Sequence, residues 1–146
     1  MKGPSNVAET SELLVKFHRR TGATITQIGD SERELEKKLP AEYVEFLKLS
    51  NGGEGFVGEH YLILYRVEEL VEMNKGFEEY APGLLVFGSD GGGEAFGFDT
   101  RIPDWPVVLM PFIGMDWKDA IPVVDSFGGY FKKLHETESL FSSKEL

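Results

Sequence analysis

The sequence predicts an α+β domain, on three observations. Helix-patterned segments stand at both ends of the chain, short apolar runs fill its middle, and glycine supplies 17 of the 146 residues, which favours tight turns over long helices. No internal repeat interrupts it, so residues 1–146 read as one domain, long enough to bury roughly two thirds of its unfolded surface without metal or disulfide support. Apolar residues make up 41% of the chain, and eleven phenylalanines supply a substantial core.

Taken in order, the first helix starts between Asn6 and Thr10, buries Leu13, Leu14 and Phe17, and ends with Arg19 and Arg20 before Gly22, where cations suit the negative helix end. Ala23 to Gly29 reads as a connection. Ser31 and Glu34 have the spacing of a capping box for a second helix reaching Lys38, with Leu35 and Leu39 on one face. Pro40 suits the start of a third helix, in which Tyr43, Phe46, Leu47 and Ser50 fall at helical spacing, and Asn51-Gly52-Gly53 supplies a left-handed stop.

Every residue from Tyr61 to Tyr65 is apolar or aromatic, the composition of a strand covered on both faces. Val67 to Tyr80 places Leu70, Val71, Asn74 and Phe77 at helical spacing. Leu84 to Phe87 and Ala95 to Phe98 are strands around a loop with three consecutive glycines. In the second of them Phe96 and Phe98 point one way and Ala95 and Gly97 the other, so something packs close to the small face. Pro106 to Met110 is a third strand whose prolines, Pro106 and Pro111, mark an edge or strand ends. Ser126 is placed to cap a last helix carrying Phe127, Tyr130, Phe131 and Leu134, which Gly128 and Gly129 weaken by about 1 kcal/mol each.

Net charge is −10, from 25 acidic and 15 basic residues, a field that repels phosphate backbones and attracts a basic partner. Direct nucleic-acid binding is therefore not expected. An acidic surface that merely keeps the protein soluble is the plain alternative. The absence of cysteine excludes disulfides, a thiolate zinc site and a cysteine nucleophile. Met1 to Asn6 lacks the apolar core of a signal peptide, and the longest apolar stretch, Val107 to Met115, is short and broken by Pro111. The expectation is a cytoplasmic protein with no membrane segment.

Candidate chemistry is sparse. Gly88-Ser89-Asp90-Gly91-Gly92-Gly93-Glu94 has neither the P-loop Lys-Ser/Thr pair nor a dinucleotide fingerprint, and its two acids would repel phosphate, so it reads as a hairpin loop. Calcium binding through Asp90, Glu94 and Asp99 lacks the alternating ligands of an EF-hand loop. His18, His60 and His135 are too far apart for any short metal motif, and Ser89 is not in a nucleophile elbow. Carboxylates distant in sequence could still pair for acid–base work. No metal, nucleotide or other cofactor is implied, and the chain is expected not to be an enzyme. Trp105 and Trp117 stand among Asp104, Asp116, Lys118 and Asp119, either as a hot spot for a basic partner or as caps of the sheet core. The candidate partner surface comprises Asp90, Glu94, Asp116, Trp117 and Asp119.

An ordered set of motifs resembles one family. Leu39-Pro40-Ala41-Glu42-Tyr43 with Phe46-Leu47 and Asn51-Gly52-Gly53, then Leu85 to Glu94 with Phe98-Asp99, then Asp125-Ser126-Phe127 with Phe131, is similar to the SUKH superfamily of Smi/Knr-type cell-wall-assembly regulators and bacterial toxin-immunity proteins. The resemblance spans about residues 31–134, leaving 1–30 as an N-terminal helix and connection. It implies helices packed on a strongly bent antiparallel sheet. For compact members it also implies non-catalytic neutralisation of a cognate toxin, often a nuclease. Gly128-Gly129 and the long Thr100 to Ala120 segment depart from the family pattern. The short flanks favour the immunity-type role; a regulatory or scaffold module and a small-ligand-binding domain are the alternatives.

Overall fold

The computed structural model describes residues 7–140, with side chains from Thr10 onward, so the Met1–Asn6 run read for an export signal lies outside the described residues. Seven strands form one antiparallel sheet: β1 (Phe17–Arg19), β2 (Gly53–Val57), β3 (His60–Leu64), β4 (Leu84–Ser89), β5 (Glu94–Asp99), β6 (Val107–Pro111) and β7 (Ile121–Val124). Their spatial order is their order in the chain, β1-β2-β3-β4-β5-β6-β7. Register shifts between Val86 and Gly88 and between Val107 and Val108 interrupt the ladders, and irregularities of this kind bend and coil a sheet. The helices are α1 (Val7–Leu13), α2 (Ile25–Leu35), α3 (Ala41–Leu49), α4 (Leu70–Met73), α5 (Phe77–Tyr80) and α6 (Tyr130–Glu136). Short 3₁₀ turns cover Val67–Glu69, Trp117–Asp119 and Phe127–Gly129.

Strand alternation divides the apolar residues between two faces. Leu85, Phe87, Phe96, Phe98, Val107 and Leu109 enter the main core, joined by Tyr43, Phe46 and Leu47 of α3 and by Phe127, Tyr130, Phe131 and Leu134 from the C-terminal segment. The aromatic rings interlock there: Phe87 stacks on Phe98 at 4.5 Å, and Tyr43 meets Phe98 and Phe127 edge-on at 5.1 Å. Leu84, Val86, Ala95, Val108 and Met110 face the other way and form a smaller cluster with Ala81 and Met115. The small face of β5 is closely packed as expected, since a Cβ at Gly97 would come within 2.7 Å of Leu84 Cδ1.

Several expectations need correction. The first helix stops at Leu13, and Phe17 to Arg19 form edge strand β1, because their backbone pairs with Gly53 to Gly55 of β2. Ala23 to Gly29 is largely helix. Thr24 caps α2, accepting from Gln27 N while the Gln27 side chain accepts from Thr24 N, so the capping box lies seven residues before the one expected at Ser31. Ser31 is instead buried inside α2, donating to the Val67 carbonyl at 2.8 Å, and the helix ends at Leu35 with Glu36 left-handed.

α3 has its expected start, but Ser50 is extended and the left-handed turn falls at Gly52, φ +79, where a Cβ would come within 2.5 Å of the Leu64 carbonyl oxygen. The Val67–Tyr80 segment is broken into one 3₁₀ turn and two short helices, because the Asn74 side chain bonds β4 instead of extending the helix, donating to Val86 O and accepting from Val86 N, both at 2.8 Å. β6 is paired on both sides, so its prolines mark strand ends and not an edge. Ser126 makes no side-chain cap; Gly128 and Gly129 sit in the 3₁₀ turn ahead of α6, which removes their mid-helix cost.

Candidate protein-binding surface

The connection from β6 to β7 leaves the sheet at the hairpin end of β5, where Phe112 N donates to Gly93 O at 2.9 Å, and then crosses the second face. Trp117 ties it to the opposite end. Its indole N–H donates to the Pro82 carbonyl at 2.8 Å, and the Arg101 guanidinium lies 3.7 Å from the centre of its ring. Arg101 is itself aimed by Asp99, donating from Nε at 2.9 Å and from Nη2 at 3.1 Å. Those bonds from Arg101 hold the buried Asp99 carboxyl below the usual aspartate range, and Asp99 in turn raises Arg101.

Asp116 opens the 3₁₀ turn by accepting from Lys118 N at 2.9 Å and is exposed, while Asp119 is half-buried one turn later. Asp116, Trp117 and Asp119 therefore form one rigidly held unit. Asp90 and Glu94 form another. Asp90 closes the glycine loop by accepting from Gly92 N at 2.8 Å and Glu94 N at 3.2 Å, and Glu94 pairs with Pro111 in the β5–β6 register. That loop lies at the far end of β4 from Pro82, a strand length of roughly 17 Å at 3.3 Å per residue. The structure thus brings together three of the five sequence-predicted residues and holds the other two apart. Trp105 packs on Phe98 at 5.7 Å at the edge of the main core, and Trp117 packs against the second cluster, so each caps a core. Of the histidines, His18 and His135 are exposed, and His60 Nε2 hydrogen-bonds the Thr137 carbonyl. Among the described residues no three His, Cys, Asp or Glu side chains gather as metal ligands, and no helix is long and apolar enough to cross a membrane.

The SMI1 / KNR4 family (SUKH-1) matches residues 22–133, about three quarters of the chain. The chain belongs to that family. No curated protein matches it.

In this SUKH-1 member the motif residues carry structure. Asn51 accepts from Val67 N and donates to Glu68, each at 2.8 Å, fastening the 67–69 turn to the end of α3. Tyr43 and Phe127 sit in the aromatic core, and Asp99 positions Arg101. Gly128 follows from packing: the Glu42 carboxylate occupies the space a Cβ would need. Two surface features escaped the sequence reading. One is a cleft of about 220 Å³ between α1, α3 and the 127–129 turn, lined by Glu42, Glu45, Phe46 and Phe131. The other, about 350 Å³, lies between α5 and residues 112–115. Its sequence signal is the apolar run that continues past β6 through Phe112 and Ile113.

Proposed function

We propose that this chain is a non-catalytic, immunity-type binding protein that neutralises a cognate toxin, such as a nuclease domain, through a basic surface on that partner. The observation that carries the reading is the acidic turn Asp116–Asp119, displayed on the second face and braced by the Asp99–Arg101–Trp117 relay on a chain of net charge −10. Bracing matters because a preorganised acidic surface loses little entropy when a cationic partner docks. Family membership supports the reading, as does the use of the motif residues for folding, which leaves surface residues to define the partner. Asp90 and Glu94 extend the acidic surface at the hairpin end.

The test is co-expression with a toxin encoded beside this chain in its host genome. Rescued growth, together with a complex that survives gel filtration at low salt and weakens at high salt, is the expected outcome. A toxin that kills equally well with and without the chain, and forms no complex with it, overturns the proposal. A regulatory or scaffold role of the Smi/Knr kind is the second reading, favoured by the SMI1 / KNR4 family match itself. It would appear as stable binding to a host protein without any toxin rescue.

A further inference from the structure

On the second face, α5 and the Phe112–Met115 stretch border a cleft of about 350 Å³ lined by Phe77, Tyr80, Phe112 and Met115. The Phe77 and Phe112 rings approach to 6.1 Å across it. Tyr80 is 63% exposed and Ile113, next to Phe112, is 92% exposed. A solitary exposed isoleucine needs no explanation, whereas one standing beside an apolar cleft enlarges a continuous patch. The bordering loops leave the cleft open, since a Cβ at Gly76 or Gly114 would meet nothing within 4 Å.

The rim is acidic. Glu78 and Glu79 lie between Phe77 and Tyr80 on α5, Asp116 follows Met115, and all three are exposed. The cation at the mouth, Lys75, is paired with Glu72 at 3.1 Å. We propose that this cleft docks a basic segment of a partner protein, which seats an apolar side chain between Tyr80 and Ile113 and sets lysines or arginines against Glu78, Glu79 and Asp116. Charge complementarity selects that occupant. A second copy of this chain would bring the same carboxylates to the rim on a body of charge −10, placing like charges together. The inference rests on the reading of the chain as a binding protein, and it moves the apolar anchor from Trp117, whose ring and N–H are already engaged, to Tyr80 and Ile113.

The probes are two synthetic peptides sharing a Leu-Trp core, one flanked by lysines and one by glutamates, titrated into isotope-labelled protein and followed by amide chemical shifts. The basic peptide should perturb residues 77–80 and 112–116 saturably, and the acidic one should not. Ile113→Lys, at an exposed site that leaves folding intact, should weaken the basic peptide by about tenfold or more, as loss of an interface anchor does. Glu79→Gln should reduce the salt dependence of binding. The proposal is overturned if nothing saturates, if the acidic peptide binds equally well, or if the shifts map to Asp90–Glu94 or to the cleft beside α3. Sedimentation that shows a dimer dissolved by Ile113→Lys would assign the cleft to a second copy and overturn it too. A toxin neutralised equally by the wild type and by Ile113→Lys would remove the cleft while leaving the immunity-type function standing. Saturable binding at the cleft without neutralisation of any toxin would do the reverse.

Discussion

At the scale of single residues, Asp99 links the sheet to the surface. It is 4% exposed at the end of β5, and its two bonds to Arg101 place the guanidinium over Trp117. Because Arg101 lowers the native Asp99 pKa, the stabilisation is complete above the unfolded aspartate value of about 3.9 and is lost as pH falls through the lower native value. Asp99→Asn should therefore cost about 1–3 kcal/mol at neutral pH, with a gap to wild type that narrows in acid; urea titrations at about pH 7 and about pH 3 check it. The hydroxyls of Tyr43 and Tyr130 work in the opposite sense. Both are fully buried, neither has a hydrogen-bond partner among the described residues, and burial pushes both phenol pKa values well above 10. An unpaired buried hydroxyl is a cost, so Tyr130→Phe should be neutral or stabilising by up to about 1–3 kcal/mol in the same titrations. A loss larger than that range would show that the hydroxyl is bonded in solution.

At the scale of elements, α3 is the helix on which the main core is assembled. Phe46 is 4% exposed and packs on Phe127 at 5.8 Å and Phe131 at 5.1 Å, joining α3 to the C-terminal segment. Phe46→Ala should cost about 3–5 kcal/mol, read as a lowered urea midpoint, because the rings around it are held by one another and cannot close the cavity. α3 and the β4–β5 hairpin were readable in the sequence because their signals are local: a proline start, helical spacing, alternation and a glycine loop. β1 and β2 were not. Gly53 and Gly55 look like loop residues, yet they belong to a strand because a Cβ on either would lie 2.6 Å from His18 O or 2.7 Å from Lys16 O, so only glycine lets β1 approach. α2 was hidden by an exposed Ile25 and by Ser31 on its buried side, a pattern that Val67, 36 residues away, makes sense of. The acidic 116–119 turn was likewise visible in sequence, whereas its tie to Pro82, 35 residues distant, depended on the tertiary fold.

At the scale of the whole molecule, the charge of −10 acts before contact and the braced turn acts after it. Long-range attraction steers a cationic partner and is screened beyond about 8 Å at physiological salt, so exposed rim acids govern association more than dissociation. Asp116→Lys and Asp119→Lys should each slow association with the cognate toxin and flatten its dependence on salt, with smaller changes in the dissociation rate. Trp117→Ala acts differently. It removes the ring under Arg101 and the bond to Pro82, so the turn that presents both aspartates loses its brace. That variant should dissociate faster, since a partner held by a loosened surface re-pays the ordering entropy in the complex, and it should also melt earlier than wild type. Surface-immobilised binding at low and high salt, paired with thermal melts, separates the three variants. Unchanged kinetics in all of them would place the interface away from the 116–119 turn and leave its acids as a solubility feature, with Trp117 serving the second core alone.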